Sequence, residues 1–295
     1  MQFIYKIPGP ILVLLGGFSL SWGGLIIRSF EGASIWQILL YRSLFFLGAL
    51  LIFLFLTYGR ETFKQIKTSG IPGLIGGVCL SSSFVAYMFA MTETTVANVV
   101  FIISTQTIFL PIFAYFFLKE KISLSGLLAI FLAMAGVALM ISESLDSGSL
   151  YGNIVALAIP INFSILILII RKYPNVDMLP SIFYAGIFSC VYGLLLVETI
   201  IISSRDVWLS FLLGVPQLAF GFIFITIGSR TTPAVMVGLL MLMETIFAPV
   251  WVWLFLNEIP PIAINLVFFW YVFSFYNPFI NLSRQFYIMS RISEY

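Results

Sequence analysis

Long apolar stretches, separated only by short polar segments, run through almost the whole 295-residue chain. A helix that crosses a bilayer needs about 20 mostly apolar residues, and ten stretches come close to this length. They cover residues 9–27, 34–57, 71–91, 96–118, 124–142, 151–170, 180–203, 209–228, 234–256 and 262–283. The pattern therefore predicts an all-α polytopic membrane protein with ten transmembrane helices and no extramembrane domain.

The composition agrees with a membrane protein and excludes several classes of function. Of the residues, 61% are hydrophobic and 9% are charged, whereas a soluble domain has about 25% charged residues. An ordinary soluble enzyme and a nucleic-acid-binding protein are thereby excluded. The chain contains no histidine, which removes histidine bases and histidine metal ligands, and Cys79 and Cys190 are isolated. We expect no catalytic residues, no metal site and no cofactor.

The basic residues are distributed unevenly between alternate connections. Of the 14 lysines and arginines, eleven lie in one set of connections, Arg28 and Arg205 lie in the other set, and Arg42 lies inside a span. The eleven are Lys6, Arg60, Lys64, Lys67, Lys119, Lys121, Arg171, Lys172, Arg230, Arg284 and Arg291. Positively charged connections stay on the cytoplasmic side of a membrane, so both termini are expected to be cytoplasmic.

The two halves of the chain contain similar short segments. Residues 107–111 read TIFLP and residues 245–249 read TIFAP, and at the same offset residues 117–120 (FLKE) match residues 255–258 (FLNE). The matched positions include Thr, Pro and Glu, which favours a repeat over chance similarity between apolar helices. The spacing predicts a repeat unit of five spans.

A unit with an odd number of spans must enter the membrane in opposite directions in its two copies. Inverted repeats of this kind are typical of alternating-access transporters, whose binding site lies near mid-membrane between the halves. We therefore divide the chain into a first five-helix repeat at residues 1–142 and a second at residues 151–283. The last helix of the second repeat is atypical, because it is rich in aromatic residues and lacks glycine.

Several motifs together resemble the EamA-type permeases of the drug/metabolite transporter superfamily. They are residues 19–24 (SLSWGG), residues 36–46 around Tyr-Arg-Ser, and the matching stretches 94–120 and 231–258. The resemblance covers roughly residues 10–261. It implies ten spans, a 5+5 inverted repeat and solute transport, often the export of small metabolites.

The resemblance and the composition together indicate a secondary transporter in the inner (plasma) membrane of a bacterium. Its expected partners are a small-molecule solute and the lipid bilayer, with no nucleic acid. The solute is a small metabolite, with an amino acid as one candidate, and the expected direction is export by alternating access. The alternatives are a non-transporting paralogue that acts as a membrane partner protein, and a channel. A membrane-embedded enzyme is disfavoured because no catalytic motif is present.

Two charged side chains inside predicted spans are the strongest candidates for solute binding, because charge at membrane depth is costly. Arg42 could bind a carboxylate or phosphate through two hydrogen bonds, or it could form a structural ion pair or extend to the interface. Glu244 could carry a proton during transport, bind an amine of the solute, or neutralise Arg42; the structural alternative is a protonated glutamic acid that is hydrogen-bonded between helices. Gln106 occupies the position equivalent to Glu244 in the first repeat.

Trp22, Tyr87 and Asn162 complete the predicted substrate-binding set, since aromatic and amide groups could line an apolar pocket. Each of them could instead serve packing between helices. Pro111 and Pro249 lie inside predicted spans, where proline removes a backbone hydrogen bond and kinks the helix. We expect these two kinks to serve packing, with a role in gating as the alternative.

Glu120 and Glu258 end the fourth and ninth predicted spans, at equivalent positions of the two repeats. Because charged side chains at span ends lie close to the lipid headgroups, we expect both to be interfacial and solvated. The alternative is a salt bridge that takes part in gating.

Overall fold

The computed structural model describes residues 4–94, 96–141 and 149–256, and this part of the chain is helical without strands. Eight of its helices are long and apolar enough to cross a membrane. They are Gly9–Arg28, Ile35–Thr68, Gly70–Glu93, Asn98–Leu118, Leu150–Lys172, Leu179–Leu196, Ser204–Ser229 and Ala234–Phe255. The chain is therefore an integral membrane protein that crosses the bilayer several times.

Two of the ten predicted spans are not among these eight. The predicted span 124–142 forms the 18-residue helix Leu124–Ile141, and the predicted span 262–283 lies outside the described residues. The all-helical membrane fold is confirmed, whereas the count of ten stays a prediction. The spans are numbered here in chain order, with Leu124–Ile141 as the fifth and Ala234–Phe255 as the ninth.

Four of the spans are interrupted and the others are continuous. The interrupted ones consist of Gly9–Leu20 and Gly23–Arg28; Val96–Ser104 and Gln106–Leu118; Leu150–Ala156 and Ala158–Lys172; and Ser204–Leu212, the π-helix Leu213–Ala219 and Phe220–Ser229. The continuous α-helices are Ile35–Tyr58, Gly70–Glu93, Leu124–Ile141, Leu179–Leu196 and Ala234–Leu256. Three short helices, Ile4–Lys6, Gly59–Glu61 and Thr62–Thr68, lie outside these segments.

Local hydrogen bonds explain where several helices begin and end. The second span begins with a capping box, in which the Ser34 side chain accepts from the Gln37 backbone and the Gln37 side chain accepts from the Ser34 backbone. The eighth span begins at Ser204 and is capped by Ser203, whose side chain accepts from the backbone N–H of Asp206. The fourth span ends at Lys119, which adopts the left-handed conformation with φ 59°.

The connections between spans alternate between two faces of the bundle. On the face that carries the N-terminal segment, the Tyr5 hydroxyl donates to Asp177, which lies between the sixth and seventh spans. On the opposite face, the Gln37 side chain donates to the carbonyl of Thr199, between the seventh and eighth spans. We call these the N-terminal face and the opposite face.

Within the described residues, several contacts between spans recur when the span numbers are shifted by five. The first span packs against the eighth and ninth, as the sixth packs against the third and fourth. The second packs against the eighth, as the seventh packs against the third. The second span also contacts the seventh, and the fourth contacts the ninth; in each of these pairs the two span numbers differ by five. A central bundle made from both halves of the chain results from these contacts.

Candidate functional site

The interruptions in the first, fourth, sixth and eighth spans all lie beside one cavity. Leu20 precedes the first break, Gln106 follows the second, Ile159 lies just after the third, and Gln217 lies in the π-helix; all four line the cavity. Irregular backbone at membrane depth is tolerated where it is buried in protein or lines a cavity, since its polar groups need partners there. The backbone pattern therefore marks this cavity as a candidate binding site.

The cavity has a volume of about 80 Å³ and an apolar wall with a few polar groups. A space of this size holds several water molecules. Its lining consists of Leu20, Arg42, Leu80, Ser83, Phe84, Tyr87, Ile103, Gln106, Ile159, Phe163, Gln217, Leu218, Phe222, Met241 and Glu244. Four of the six predicted substrate-binding residues, from four different spans, thus come together in one place: Arg42, Tyr87, Gln106 and Glu244.

Arg42 is buried to 3% exposure on the second span and faces the third span. Its Nη2 donates to the carbonyl of Phe84 at 3.3 Å, and its guanidinium lies over the rings of Phe84 and Tyr87, at 5.2 Å and 6.0 Å from their centroids. Its Nε is buried without a hydrogen-bond partner. Aromatic faces stabilise the cation without consuming its hydrogen-bond donors, so the guanidinium still has donors to offer an anion.

Glu244 lies near the middle of the ninth span and is half-buried. The helix backbone around it lies against the first span, where a Cβ added to Gly17 would be 3.7 Å from the Glu244 backbone nitrogen. Among the described residues, no ion pair or hydrogen bond joins the carboxylate of Glu244 to Arg42 or to another side chain. Two opposite charges therefore line one cavity without neutralising each other by direct contact.

Tyr87 and Gln106 add further polar groups to the lining of the cavity. Tyr87, on the third span, lies close enough to both Arg42 and Glu244 to interact electrostatically with each. Gln106 opens the second segment of the fourth span and is buried. One turn before Tyr87, the Ser83 hydroxyl also lines the cavity, although it donates to the carbonyl of Cys79.

Gln217 is a polar residue of the cavity that the sequence reasoning missed. It lies in the π-helix of the eighth span, directly after Pro216. Its Nε2 donates to the Leu20 carbonyl at 3.1 Å, and its Oε1 is buried without a partner. The sequence does contain a signal, which is a Pro-Gln pair inside an apolar stretch. Such a pair indicates a functional position, since proline disrupts the regular helix and glutamine is costly at that depth.

Trp22 and Asn162, the other two predicted substrate-binding residues, do not line the cavity. Trp22 stacks on Trp251 of the ninth span, with ring centroids 3.8 Å apart and planes 17° apart. The Trp251 indole donates to the Ser21 hydroxyl at 2.8 Å. Trp22 thus joins the first and ninth spans beside the break in the first span. Asn162 is partly buried on the sixth span.

The aromatic side chains around Trp22 form one contiguous group, which we call the aromatic cluster. Trp251 also contacts Phe18 and Phe247, at centroid distances of 5.5 Å and 5.9 Å, and Phe255 lies 5.9 Å from Trp22. Edge and stacked contacts of this kind add to the burial of apolar surface. The cluster therefore packs the first span against the ninth between the cavity and the opposite face.

The two proline residues predicted to kink helices do lie inside helices. Pro111 is inside Gln106–Leu118, and Pro249 is inside Ala234–Leu256. Pro111 is buried and does not line the cavity. Their role in packing or gating stays a prediction.

Glu120 forms an ion pair on the N-terminal face, so it is not simply a solvated residue at a helix end. Its Oε1 accepts from Nη2 and Nε of Arg171 at 2.5 Å and 2.8 Å, and its Oε2 accepts from the Ala234 backbone at 3.2 Å. Arg171 also donates to the carbonyl of Ser229 at 3.2 Å. The end of the fourth span is thereby tied to the sixth, eighth and ninth. Glu258 lies outside the described residues.

A second group of hydrogen bonds on the same face is centred on Asp177. Its Oδ2 accepts from the hydroxyls of Tyr5 at 2.7 Å and Tyr58 at 2.5 Å, and Arg230 lies 3.8 Å away. Burial, reinforced by the nearby carboxylate of Asp177, raises the pKa of Tyr5 above its usual range. Tyr5 therefore remains a hydrogen-bond donor at neutral pH. Together with the Glu120–Arg171 pair, these contacts form what we call the N-terminal-face network.

Comparison with known proteins finds a family that matches the first half of the chain. Residues 7–142 match the model of a family described as the EamA-like transporter family. The resemblance to EamA-type permeases inferred from the residues is thus confirmed, and the EamA-like segment contains Arg42, Tyr87 and Gln106 of the cavity.

Relatives of the EamA-like segment extend over most of the chain. Solute carrier family 35 member G1 of Mus musculus is 26% identical over 270 residues, which are 85% of this chain and 73% of the relative. The Homo sapiens protein of the same name is 25% identical over 274 residues, with the same coverage. A solved crystal structure shares the fold with a TM-score of 0.76 at 14% identity, and the match covers 90% of this chain and 94% of that one. The two named relatives are solute carriers by name, and the solved structure shows a shared fold.

Proposed function

We propose that this protein is a secondary transporter that moves a small zwitterionic metabolite, such as an amino acid, through the central cavity by alternating access. The observation that carries the proposal is the pair Arg42 and Glu244. Both charges line one cavity at membrane depth, and within the described residues neither is paired with the other. A buried charge without a counterion is costly, and a ligand that carries both charges compensates both at once.

The two sides of the cavity suit the two ends of a zwitterion. On the second and third spans, the guanidinium of Arg42 keeps donors for a carboxylate, because only one of its described contacts is a hydrogen bond and the other two are to ring faces. On the ninth span, Glu244 offers an acceptor for an ammonium group. The apolar remainder of the wall, including Phe84, Phe222 and Met241, suits an apolar side chain of the solute.

The packing of the spans supports alternating access between repeats at residues 1–142 and 151–283. An inverted 5+5 repeat would place equivalent spans in equivalent contacts, and several contacts recur in this way when span numbers are shifted by five. The N-terminal-face network joins both halves on one side of the cavity, and the aromatic cluster joins them on the other. Rocking of one half against the other would break one set of contacts at a time.

Direction, membrane and coupling belong to the same proposal. The excess of basic residues on the N-terminal face supports a cytoplasmic location of that face, and the family resemblance supports export from a bacterial cytoplasm. Glu244 is the one carboxylate in the described lining of the cavity. It is therefore our candidate for the group that carries a coupling proton as well as the one that binds the ammonium group.

Transport in proteoliposomes tests the proposal. The purified protein, preloaded with single amino acids, should exchange a labelled amino acid by counterflow. Arg42→Gln and Glu244→Gln should each abolish this exchange, whereas Glu31→Gln, which removes an exposed ion pair with Arg205, should preserve it. Full exchange by both cavity variants would refute the proposed site. Absence of exchange for every zwitterion, with the protein folded, would favour a non-transporting partner protein, and currents far above carrier turnover would favour a channel.

A further inference from the structure

We propose that Gln217 is a third binding residue and that it sets specificity for solutes with a free N–H group on the cationic end. This inference rests on the proposed transport of a zwitterion. Its basis is an unsatisfied acceptor: Gln217 is 8% exposed, lines the cavity, and has a buried Oε1 without a hydrogen-bond partner in the described part of the chain. A buried polar atom in this condition costs about 1–3 kcal/mol unless a ligand satisfies it.

The orientation of the Gln217 amide follows from its surroundings. The Leu20 carbonyl, freed by the break in the first span, can only accept a hydrogen bond, so the amide nitrogen must face it at 3.1 Å. Turning the amide around would bring two oxygen atoms together. The oxygen Oε1 is therefore held in place as an acceptor, and it requires a donor.

Two glycine residues bring Gln217 to this position. A Cβ on Gly23 would lie 2.9 Å from Nε2 of Gln217, so the side chain uses the space that this glycine leaves. A Cβ on Gly214 would lie 2.4 Å from the Arg42 carbonyl oxygen, so the π-helix packs directly on the backbone of the second span. π-Helical turns are often found at functional sites, and this one carries Gln217 beside Arg42.

Gln217 and Glu244 approach the cavity over adjacent turns of the first span. Gln217 is bonded to the Leu20 carbonyl, and the Glu244 backbone lies against Gly17, which is three residues earlier. Two acceptors thus line the cavity on elements that pack against the first span, and Arg42 lines the same cavity with donors. A primary ammonium group has three N–H donors and can satisfy both acceptors, whereas a quaternary ammonium group can satisfy neither by hydrogen bonding.

The proposal predicts discrimination between an amino acid and its N-trimethylated form. In counterflow with proteoliposomes, glycine and leucine should compete better than glycine betaine and N,N,N-trimethylleucine. Gln217→Met preserves the approximate shape of the side chain and removes the acceptor. It should weaken competition by the two amino acids about tenfold and leave competition by the trimethylated forms unchanged, so that the wild-type discrimination falls about tenfold.

A matched control separates this effect from the loss of any buried glutamine. Gln37 is also buried, but its amide is satisfied by Ser34, Thr199 and Ile201 near the opposite face. Gln37→Met should leave the discrimination ratio at its wild-type value, even where the amount of folded protein falls. An equal loss for all four competitors in Gln217→Met would overturn the role of Gln217 while leaving zwitterion transport intact. Absence of competition by every zwitterion in the wild type would overturn both proposals.

Discussion

Gly214 of the eighth span lies so close to Arg42 of the second span that a Cβ added to the glycine would be 2.4 Å from the Arg42 carbonyl oxygen. No real Cβ approaches a backbone oxygen that closely, so any larger residue must push the two spans apart. The contact fixes the depth at which the π-helix meets Arg42. The geometry of the cavity therefore depends on a residue that does not line it.

Gly214→Ala should lower both thermal stability and transport. Overpacking of a close contact costs about 1–3 kcal/mol, which corresponds to a decrease in Tm of several degrees, at about 2–4 °C per kcal/mol for a chain of this size class. The measurement is the Tm of the detergent-purified protein, followed by counterflow on the folded fraction. Gly48→Ala on the second span is the control, since a Cβ there meets no atom within 4 Å. Equal Tm values for the two variants would contradict the close approach.

Arg42→Lys should impair transport although it keeps the positive charge. The ammonium group of lysine is a compact charge that cannot present the planar pair of donors with which arginine binds a carboxylate. We expect KM for a labelled amino acid to rise about tenfold, consistent with the loss of one charge-assisted hydrogen bond. Arg205→Lys, at an exposed ion pair, serves as the reference. An unchanged KM for Arg42→Lys would indicate that the charge alone matters.

Glu120→Gln should favour opening of the N-terminal face. The substitution weakens the ion pair with Arg171, which joins the fourth and sixth spans. A cysteine placed at the cavity residue Ser83, in a background without Cys79 and Cys190, should then react faster with an impermeant maleimide supplied from the N-terminal face. Glu61→Gln, which removes an exposed pair with Lys64, should not change the rate. Unchanged labelling in Glu120→Gln would show that this ion pair does not hold the face closed.

The hydrogen bond between Tyr5 and Asp177 should make stability depend on alkaline pH. Burial raises the pKa of Tyr5 above its usual value of 10.0, so the folded protein keeps a proton that the unfolded chain releases near pH 10. The free energy of unfolding should therefore be constant from pH 7 to about pH 9 and fall above about pH 10. Tyr5→Phe should have a lower Tm at neutral pH and a weaker decline at alkaline pH. Identical pH profiles for Tyr5→Phe and the wild type would contradict this account.

Much of the membrane fold could be predicted from the sequence because each span must satisfy its own backbone and present apolar side chains to lipid. The errors concern the ends of spans. The seventh span was predicted to extend to residue 203 but ends at Leu196, and the carbonyls of Thr199 and Ile201 accept from Gln37 instead. The eighth span begins five residues before its predicted start, because Ser203 caps it. These helix ends are set by hydrogen-bond partners that are polar or distant in sequence, so the spacing of apolar residues does not reveal them.

The candidate site could be predicted in part. Arg42, Tyr87, Gln106 and Glu244 were identifiable because polar groups at membrane depth are rare and costly, and the structure brings these four together. Gln217 was missed although the Pro-Gln pair was visible in the sequence, because the π-helix that contains it has no simple sequence pattern. Trp22 was expected at the cavity, but Trp251, which lies more than two hundred residues later, provides a stacking partner elsewhere.

A solute that binds tightly in the cavity should carry both charges, and analogues of leucine that lack one charge test this requirement. In proteoliposomes that exchange labelled leucine, isoamylamine lacks the carboxylate and 4-methylpentanoate lacks the ammonium group. Unlabelled leucine should compete at least about tenfold better than either analogue, since each analogue leaves Arg42 or Glu244 without its opposite charge. Competition by either analogue as strong as that of leucine would contradict it.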